Sequence, residues 1–332
     1  MPQIRLHKYL SQWLKDNKIY GYTAPEIKKN ITNFGVFVNG KLVNNQLEWV
    51  YDNQKLELNN WTVRELGDTT KIEIIYQDDD CLVLKKPLGL IVEAGAGHPF
   101  DNVVQWLWDN YPEQKFQTYY QNKDLPSSGL VHRLDKDTTG ILLIAKSPAK
   151  HKFLQDQFRS RAVIKKYLAV VDGNFDKAIH IQNWQSRDKA TSIRQKFFWS
   201  EDEAMEFSAD SRMAKSIMIP KVYCPETNQT MIQIQIKTGR MHQIRVQCEA
   251  LGFPLSNCKT YNNHNIFDPN KLLKNSENQI ITPLEPTKTM NKQEFEKMNN
   301  KFFGNTDYCL LANQLEIMLP SQKLAKFVIE EI

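Results

Sequence analysis

The run Ile141-Leu-Leu-Ile-Ala145 is short, partly β-branched and unbroken by any polar residue, and it constrains the fold more than any other segment. Such a run suits a strand buried on both faces, so the chain must build a layered core around it. Directly before it stands Arg133-Leu-Asp-Lys-Asp-Thr-Thr-Gly140, a turn that brings Asp135 and Asp137 among cations to the edge of that core. Buried carboxylates require partners. One reading makes these aspartates plain caps of backbone amides in a turn. The other makes Asp135 a catalytic carboxylate on a rigid ledge.

With 332 residues and 41% hydrophobic content, the chain is long enough to bury a sizeable core, and two domains are expected, one of them small. The net charge of +5 is unevenly spread: residues 1–41 hold seven cations against Asp16 and Glu26, leaving the remainder neutral. That local excess suits a polyanion, although a solvated helix face is the bland alternative. Cys81, Cys224, Cys248, Cys258 and Cys309 are odd in number and form no Cys-x-x-Cys pair, which points to a reducing compartment. Their spacing from the histidines shows no zinc pattern, so no metal is expected. No apolar signal core or membrane-spanning run is present, so a cytoplasmic protein without membrane association is expected, with an organellar presequence as the alternative.

Ile4, Leu6, Tyr9, Leu10, Trp13 and Leu14 recur at helical spacing, predicting a first helix with Lys8 outward. Thr23-Ala-Pro-Glu26 has capping-box spacing and predicts a second helix exposing Lys28 and Lys29. Asn39-Gly40, between Val36-Phe-Val and Lys41-Leu-Val43, predicts a hairpin. Asn59–Asp68 lacks periodicity and reads as a linker. Two strands joined by Asp78-Asp-Asp80, helices over 103–111 and 149–158, and antiparallel strands over 218–222 and 231–237 follow. Residues 262–305, rich in Asn and Lys, read as a polar surface extension rather than core.

His132-Arg-Leu-Asp-Lys-Asp-Thr-Thr-Gly140 resembles the signature of the RluA-type pseudouridine synthases. Ser160–Gly173, SRAVIKKYLAVVDG, is similar to the family's basic segment ending in Lys-x-Tyr-x-Ala and Gly, and Lys237–Gln247, KTGRMHQIRVQ, to its Thr-Gly-Arg-x-His-Gln-Ile-Arg-Val motif. Lys85–Val92 resembles a Lys-Pro-x-Gly loop that lines the family's cleft, though a plain strand-ending turn fits those residues equally. The first 60 residues resemble a small RNA-binding module shared with a ribosomal protein and tyrosyl-tRNA synthetases. The resemblance implies an α+β fold: a mostly antiparallel mixed sheet with flanking helices over 68–332, plus a small α/β RNA-binding domain over 1–62 bearing Lys8, Lys28, Lys29 and Lys41.

It also implies an isomerase that acts on uridine in structured RNA, large-subunit ribosomal RNA in the first place and transfer RNA as the alternative, as a monomer and with no cofactor. Asp135 would be the catalytic carboxylate, Arg245 its ion-pair partner with Arg240 as runner-up, and Tyr167 the ring that stacks on the target base and a candidate to help remove the proton from its carbon five. Arg133 would enter the RNA stack as uridine leaves it, at a flipping cost of about a few kcal/mol. His132 would contact the same strand or make a structural hydrogen bond, Arg240 could instead meet a phosphate, and His242 and Gln243 would brace their turn. The chain departs from the family pattern at Asn257-Cys258, where Gly-Asp is common, and at Met241, where Thr is common. A ribosome-assembly factor without activity, or glycoside hydrolysis by Asp135 and Asp137, are the readings from other classes. Residues two apart diverge in direction along a strand, which counts against the hydrolase.

Overall fold

A computed structural model of the chain describes residues 3–17, 24–59, 61, 68–93, 102–111, 126–188, 194–263, 278–281, 287–304 and 308–330. Contacts group the chain into two units, 1–71 with 89–115, and 72–88 with 116–332.

In the first unit β1 (Gln3–Arg5) leads into α1 (Leu6–Asp16), and α2 (Ala24–Phe34) precedes β2 (Val36–Val38), β3 (Lys41–Val43), β4 (Trp49–Tyr51) and β5 (Leu56–Leu58). Leu6, Leu10 and Leu14 of α1 meet Ile27 and Ile31 of α2 and Val36, Val50 and Leu56 in one apolar cluster, as the helical spacing predicts. Asn39 and Gly40 both take positive φ, 48° and 81°, the requirement of a two-residue hairpin whose twist matches its strands. A further helix, α3 (Val103–Asn110), is capped by the Asn102 side chain, which accepts the Gln105 amide. The capping residue Thr23 and most of the expected linker lie outside the described residues.

The second unit is built on one large sheet. Its strands are β6 (Glu73–Gln77), β7 (Cys81–Lys86), β8 (Thr139–Ala145), β9 (Ile164–Asp172), β10 (Ala178–Arg187), β11 (Gln195–Phe198), β12 (Arg212–Cys224), β13 (Gln229–Ile236), β14 (Gln279–Ile281), β15 (Lys288–Thr289), β16 (Leu310–Met318) and β17 (Leu324–Val328). The order is β11-β10-β12-β13-β9-β16-β8-β7-β6, with β14, β15 and β17 paired alongside. Pairings are antiparallel except β16 with β8 and β12 with β15. Helices α4 (Pro148–Arg159), α5 (Glu201–Phe207), α6 (Gln243–Ala250) and α7 (Lys292–Phe303) flank it. This is the expected α+β class.

The apolar run that opened the sequence is β8, buried from Gly140 to Ala145 and seated between β7 and β16. Gly140 has φ 121°, and a Cβ there would lie 2.3 Å from the Ala312 carbonyl oxygen. Only glycine lets β16 approach at this point. One expectation needs correction. The segment read as a polar surface extension supplies core through α7, whose Phe295, Phe302 and Phe303 are buried with Leu168, Val170, Met231 and Leu311. Three phenylalanines spaced seven and one apart share a helix face, a signal diluted by the surrounding Asn and Lys. All five cysteines are buried, and none is in a disulfide.

Candidate active site

The turn that carries Asp135 closes with the Thr138 amide donating to the Asp135 carbonyl, 3.1 Å. It is pinned from β7. Lys86, fully buried, donates from Nζ to the carbonyl of Lys136 at 3.1 Å and of Pro87 at 2.9 Å, while Thr139 Oγ1 donates to the Lys86 carbonyl at 2.7 Å. Burial pulls the Lys86 ammonium down to about 7 against the attraction of Asp137 and Asp135. The turn therefore rests on the Lys86 amine at its base. The resemblance sets the Lys-Pro loop at the cleft with a plain strand-ending turn equally open, and neither reading includes this contact, because Lys85-Lys86 reads as a strand end.

Across the sheet, Tyr167 of β9 lies opposite Ala312 of β16, and Ala312 lies opposite Gly140 of β8. This register brings Tyr167 and Asp135 to one cleft of about 680 Å³, together with Arg133, His132, Arg240, His242 and Arg245. Burial, and then the charge of Asp135, push the Tyr167 phenol upward, so at neutral pH it is a neutral hydroxyl. What it offers the cleft is a ring.

The third wall comes from α6. Residues 238–247 hang from a chain of buried hydrogen bonds: Thr238 Oγ1 donates to Gln243 Oε1 (2.7 Å), Gln243 Nε2 to Ser216 Oγ (2.9 Å), Ser216 Oγ to Gln247 Oε1 (2.7 Å) and Gln247 Nε2 to Asn183 Oδ1 (2.7 Å). Gln243 thus braces the turn, as expected. His242 caps α6 with φ 55°, which turns its ring into the cleft. Its Nδ1 meets Tyr261 Oη at 2.9 Å, and its Nε2 stands 3.8 Å from Asp135 Oδ2. Burial lowers its pKa, and Arg245 adds to this against the pull of Asp135 and Asp137.

Arg245 is 5% exposed and lies near the rings of Tyr261 and Tyr308, 5.2 and 5.6 Å to their centroids. Its Nη1 stands 3.9 Å from Asp137, not Asp135, and Nη2 donates to Cys258 Sγ at 3.6 Å. Burial works against its guanidinium, but Tyr308, Cys258 and, less, Asp135 together raise its pKa. The Asn257-Cys258 departure therefore falls at Arg245. Asn257 takes φ 59°, a left-handed conformation that Asn adopts more readily than most non-glycine residues.

Arg133 is exposed at the rim. His132 accepts the Leu143 amide at Nε2 (3.0 Å) and stacks on Phe158, with burial first and then Lys165 depressing its pKa to about 3. It is a neutral brace of β8. Arg240 donates from Nε to the Met213 carbonyl at 2.9 Å and stands among Arg161 and Arg212, whose charges add to burial in lowering its pKa. Lys8, Lys28, Lys29 and Lys41 are exposed in the first unit.

A sequence model described as RNA pseudouridylate synthase matches residues 80–250, which include Asp135, Tyr167 and Arg245. The chain belongs to that family. A protein of Pasteurella multocida named ribosomal large subunit pseudouridine synthase D is 30% identical over 77% of this chain and 72% of its own length. One of the same name from Borreliella burgdorferi is 34% identical over 57% of this chain, which spans about half, 54%, of that relative. Among solved structures, human RNA pseudouridylate synthase domain containing 1 covers 81% of this chain and 86% of its own, with a TM-score of 0.52 and 18% identity, a likeness of fold.

A further cation that sequence reasoning passed over is Lys165. It lines the cleft beside the Phe158 ring, and burial, then Arg161 and Arg240, bring its pKa down to about 8. Its ordinary value is about 10.5, so the unfolded chain binds more protons between the two values, and protein stability rises with pH across that window. RNA affinity should run the other way, since a phosphate favours the charged form. From about pH 7.5 to about 9.5 the dissociation constant for RNA should rise on the order of tenfold at fixed salt. Fluorescence anisotropy titrations would read this, and Lys165→Met should flatten the profile; an equal pH dependence in both proteins would remove Lys165 from the interface.

Proposed function

We propose that this chain is an RNA pseudouridine synthase that isomerises uridine in large-subunit ribosomal RNA, with Asp135 as the catalytic carboxylate. The names of the relatives support the substrate class. The observation that carries the catalytic reading is the environment of Asp135. Its carboxylate is 31% exposed, accepts no hydrogen bond among the described residues, and faces a cleft walled by Tyr167, His242 and Arg245. A carboxylate with its lone pairs uncommitted is available to react; one engaged by backbone amides is a cap.

The reaction breaks the bond between ribose and base nitrogen, turns the base and rejoins it through carbon five. One proton leaves that carbon and one is gained at the nitrogen, with no redox change. Whether the carboxylate attacks the anomeric carbon, attacks the ring or deprotonates the sugar, it must be ionised and within reach of an extruded nucleoside. His242 Nε2 stands 3.8 Å from Asp135 Oδ2, and the buried Arg245 guanidinium lines the same cleft without bonding to the carboxylate oxygens. The Tyr167 ring supplies a stacking face, worth on the order of 1–3 kcal/mol for a base. Because its phenol is held protonated, stacking rather than proton abstraction is the role we assign it. Arg245 Nε is buried without a hydrogen-bond partner among the described residues, a donor left for the bound nucleoside.

Base-resolution pseudouridine mapping of RNA from cells with and without the gene tests this. Loss of pseudouridine at one or more large-subunit positions is expected. Loss confined to transfer RNA would move the substrate, and an unchanged map would defeat the proposal.

Residues 1–62 are read as a separate RNA-recruiting domain. Replacing Lys8, Lys28, Lys29 and Lys41 together by Gln, all exposed, should lower the slope of log affinity against log salt by up to about 3.6, at roughly 0.9 per phosphate contact. An unaltered slope would mean that these lysines form only a solvated face.

A further inference from the structure

Beside the catalytic cleft lies a second one of about 580 Å³, and Arg187, Arg240 and Met241 line both. Its floor holds Gln185 of β10, which is 2% exposed and has no hydrogen-bond partner for Nε2 or Oε1 among the described residues. Two residues earlier on the same strand, Asn183 is joined to Gln247 and through it to the chain that holds α6. The network of satisfied amides stops two residues short of Gln185. A buried polar group that makes no hydrogen bond carries its full desolvation cost, so a carboxamide with both ends unmet is a standing penalty unless a partner arrives.

The surroundings define that partner. Arg212, paired with Gln185 across β12, and Arg187 and Arg240 put three guanidinium groups around the cleft. Asp188 and Asp210 are there too, and each faces a cation, Lys196 at 4.0 Å and Arg212 at 3.7 Å. The side chain of Arg212 is 56% exposed. Guanidinium groups bind phosphate, and a carboxamide offers one donor and one acceptor to the edge of a nucleobase. A small turn about the soft terminal torsion of Gln185 is enough to present it.

We propose that this second cleft is a ribonucleotide subsite that takes a neighbour of the target uridine in the same strand. The neighbour's phosphate would sit among Arg187, Arg212 and Arg240, and its base edge would meet the Gln185 amide. The shared wall of Arg187, Arg240 and Met241 lets one strand run from the first cleft into the second. This inference rests on the first cleft being the uridine site. It makes Gln185 a determinant of sequence preference next to the modified position.

The test uses the full chain and single-stranded heptaribonucleotides with a central uridine, compared with heptamers in which one flanking nucleotide is abasic. By anisotropy, loss of the base on one side of the uridine should weaken binding to the wild-type protein about tenfold. Gln185→Leu should weaken binding of the intact heptamer by about the same factor and then show no further loss with the abasic one. The same substitution should raise the thermal midpoint of the free protein, because it removes an unsatisfied amide. Arg212→Gln, at an exposed position, keeps the idea open to refutation if the first variant fails to fold, and it should lower the salt slope by about 0.7. A Gln185→Leu protein that is more stable yet binds every heptamer like wild type would make Gln185 a structural residue and overturn the proposal. So would abasic flanks that bind like intact ones, or intact heptamers that do not bind. Pseudouridine formation by the wild-type protein on cellular RNA is scored separately, so failure of the catalytic reading is distinguishable from failure of the subsite.

Discussion

Asp135→Asn should reduce pseudouridine formation by at least about 10³-fold while changing the RNA dissociation constant by less than about threefold. The carboxamide has nearly the same shape, and the side chain is partly exposed and accepts no hydrogen bond among the described residues, so stability should move by under about 0.5 kcal/mol. The loss would therefore be chemical rather than structural. A second readout follows from electrostatics. Asp135 raises the pKa of His242, so with that charge removed the imidazole should titrate lower, visible by NMR of the ring protons. Wild-type turnover in this variant would end the case for Asp135 whatever the RNA binding.

The second large effect is in stability. Gly140→Ala would set a methyl group 2.3 Å from the Ala312 carbonyl oxygen and 2.7 Å from its nitrogen, on a residue with φ 121°. Neither obstacle is a flexible side chain. The parallel pairing of β8 and β16 would have to open in the middle of the sheet, at a cost of more than about 4 kcal/mol. Thermal or denaturant unfolding should show a drop of at least about 10 °C in the midpoint, or no folded protein. A loss below about 1 kcal/mol would show that the strands can separate there cheaply, and the rigidity claimed for the Asp135 turn would go with it.

Much of this was legible from the residues. The apolar run became β8, the Asn-Gly pair became a hairpin, and three motifs in the chain delivered Asp135, Tyr167, Arg240 and Arg245 to one cleft. Local pattern sufficed for the elements, and resemblance sufficed for which loops meet. What escaped depends on register and rotamer. The ion-pair contact of Arg245 with Asp137 follows from how the turn presents its two carboxylates, and the left-handed cap that turns His242 toward Asp135 leaves no compositional mark. Lys86 and Lys165 stand inside the Lys-Pro and Lys-x-Tyr segments, but their burial against the turn and the cleft, which gives them a role, leaves no mark in the sequence. The α7 phenylalanines were hidden by polar neighbours that face away from the core.

The buried series from Thr238 to Asn183 has a consequence for how such a protein can diverge. Each interior member satisfies two others, so a lone replacement strands both and leaves α6 less firmly seated. Lineages descending from this sequence should therefore exchange these positions in compensating pairs, and a single swap tolerated alone would betray a water molecule standing in for the missing group.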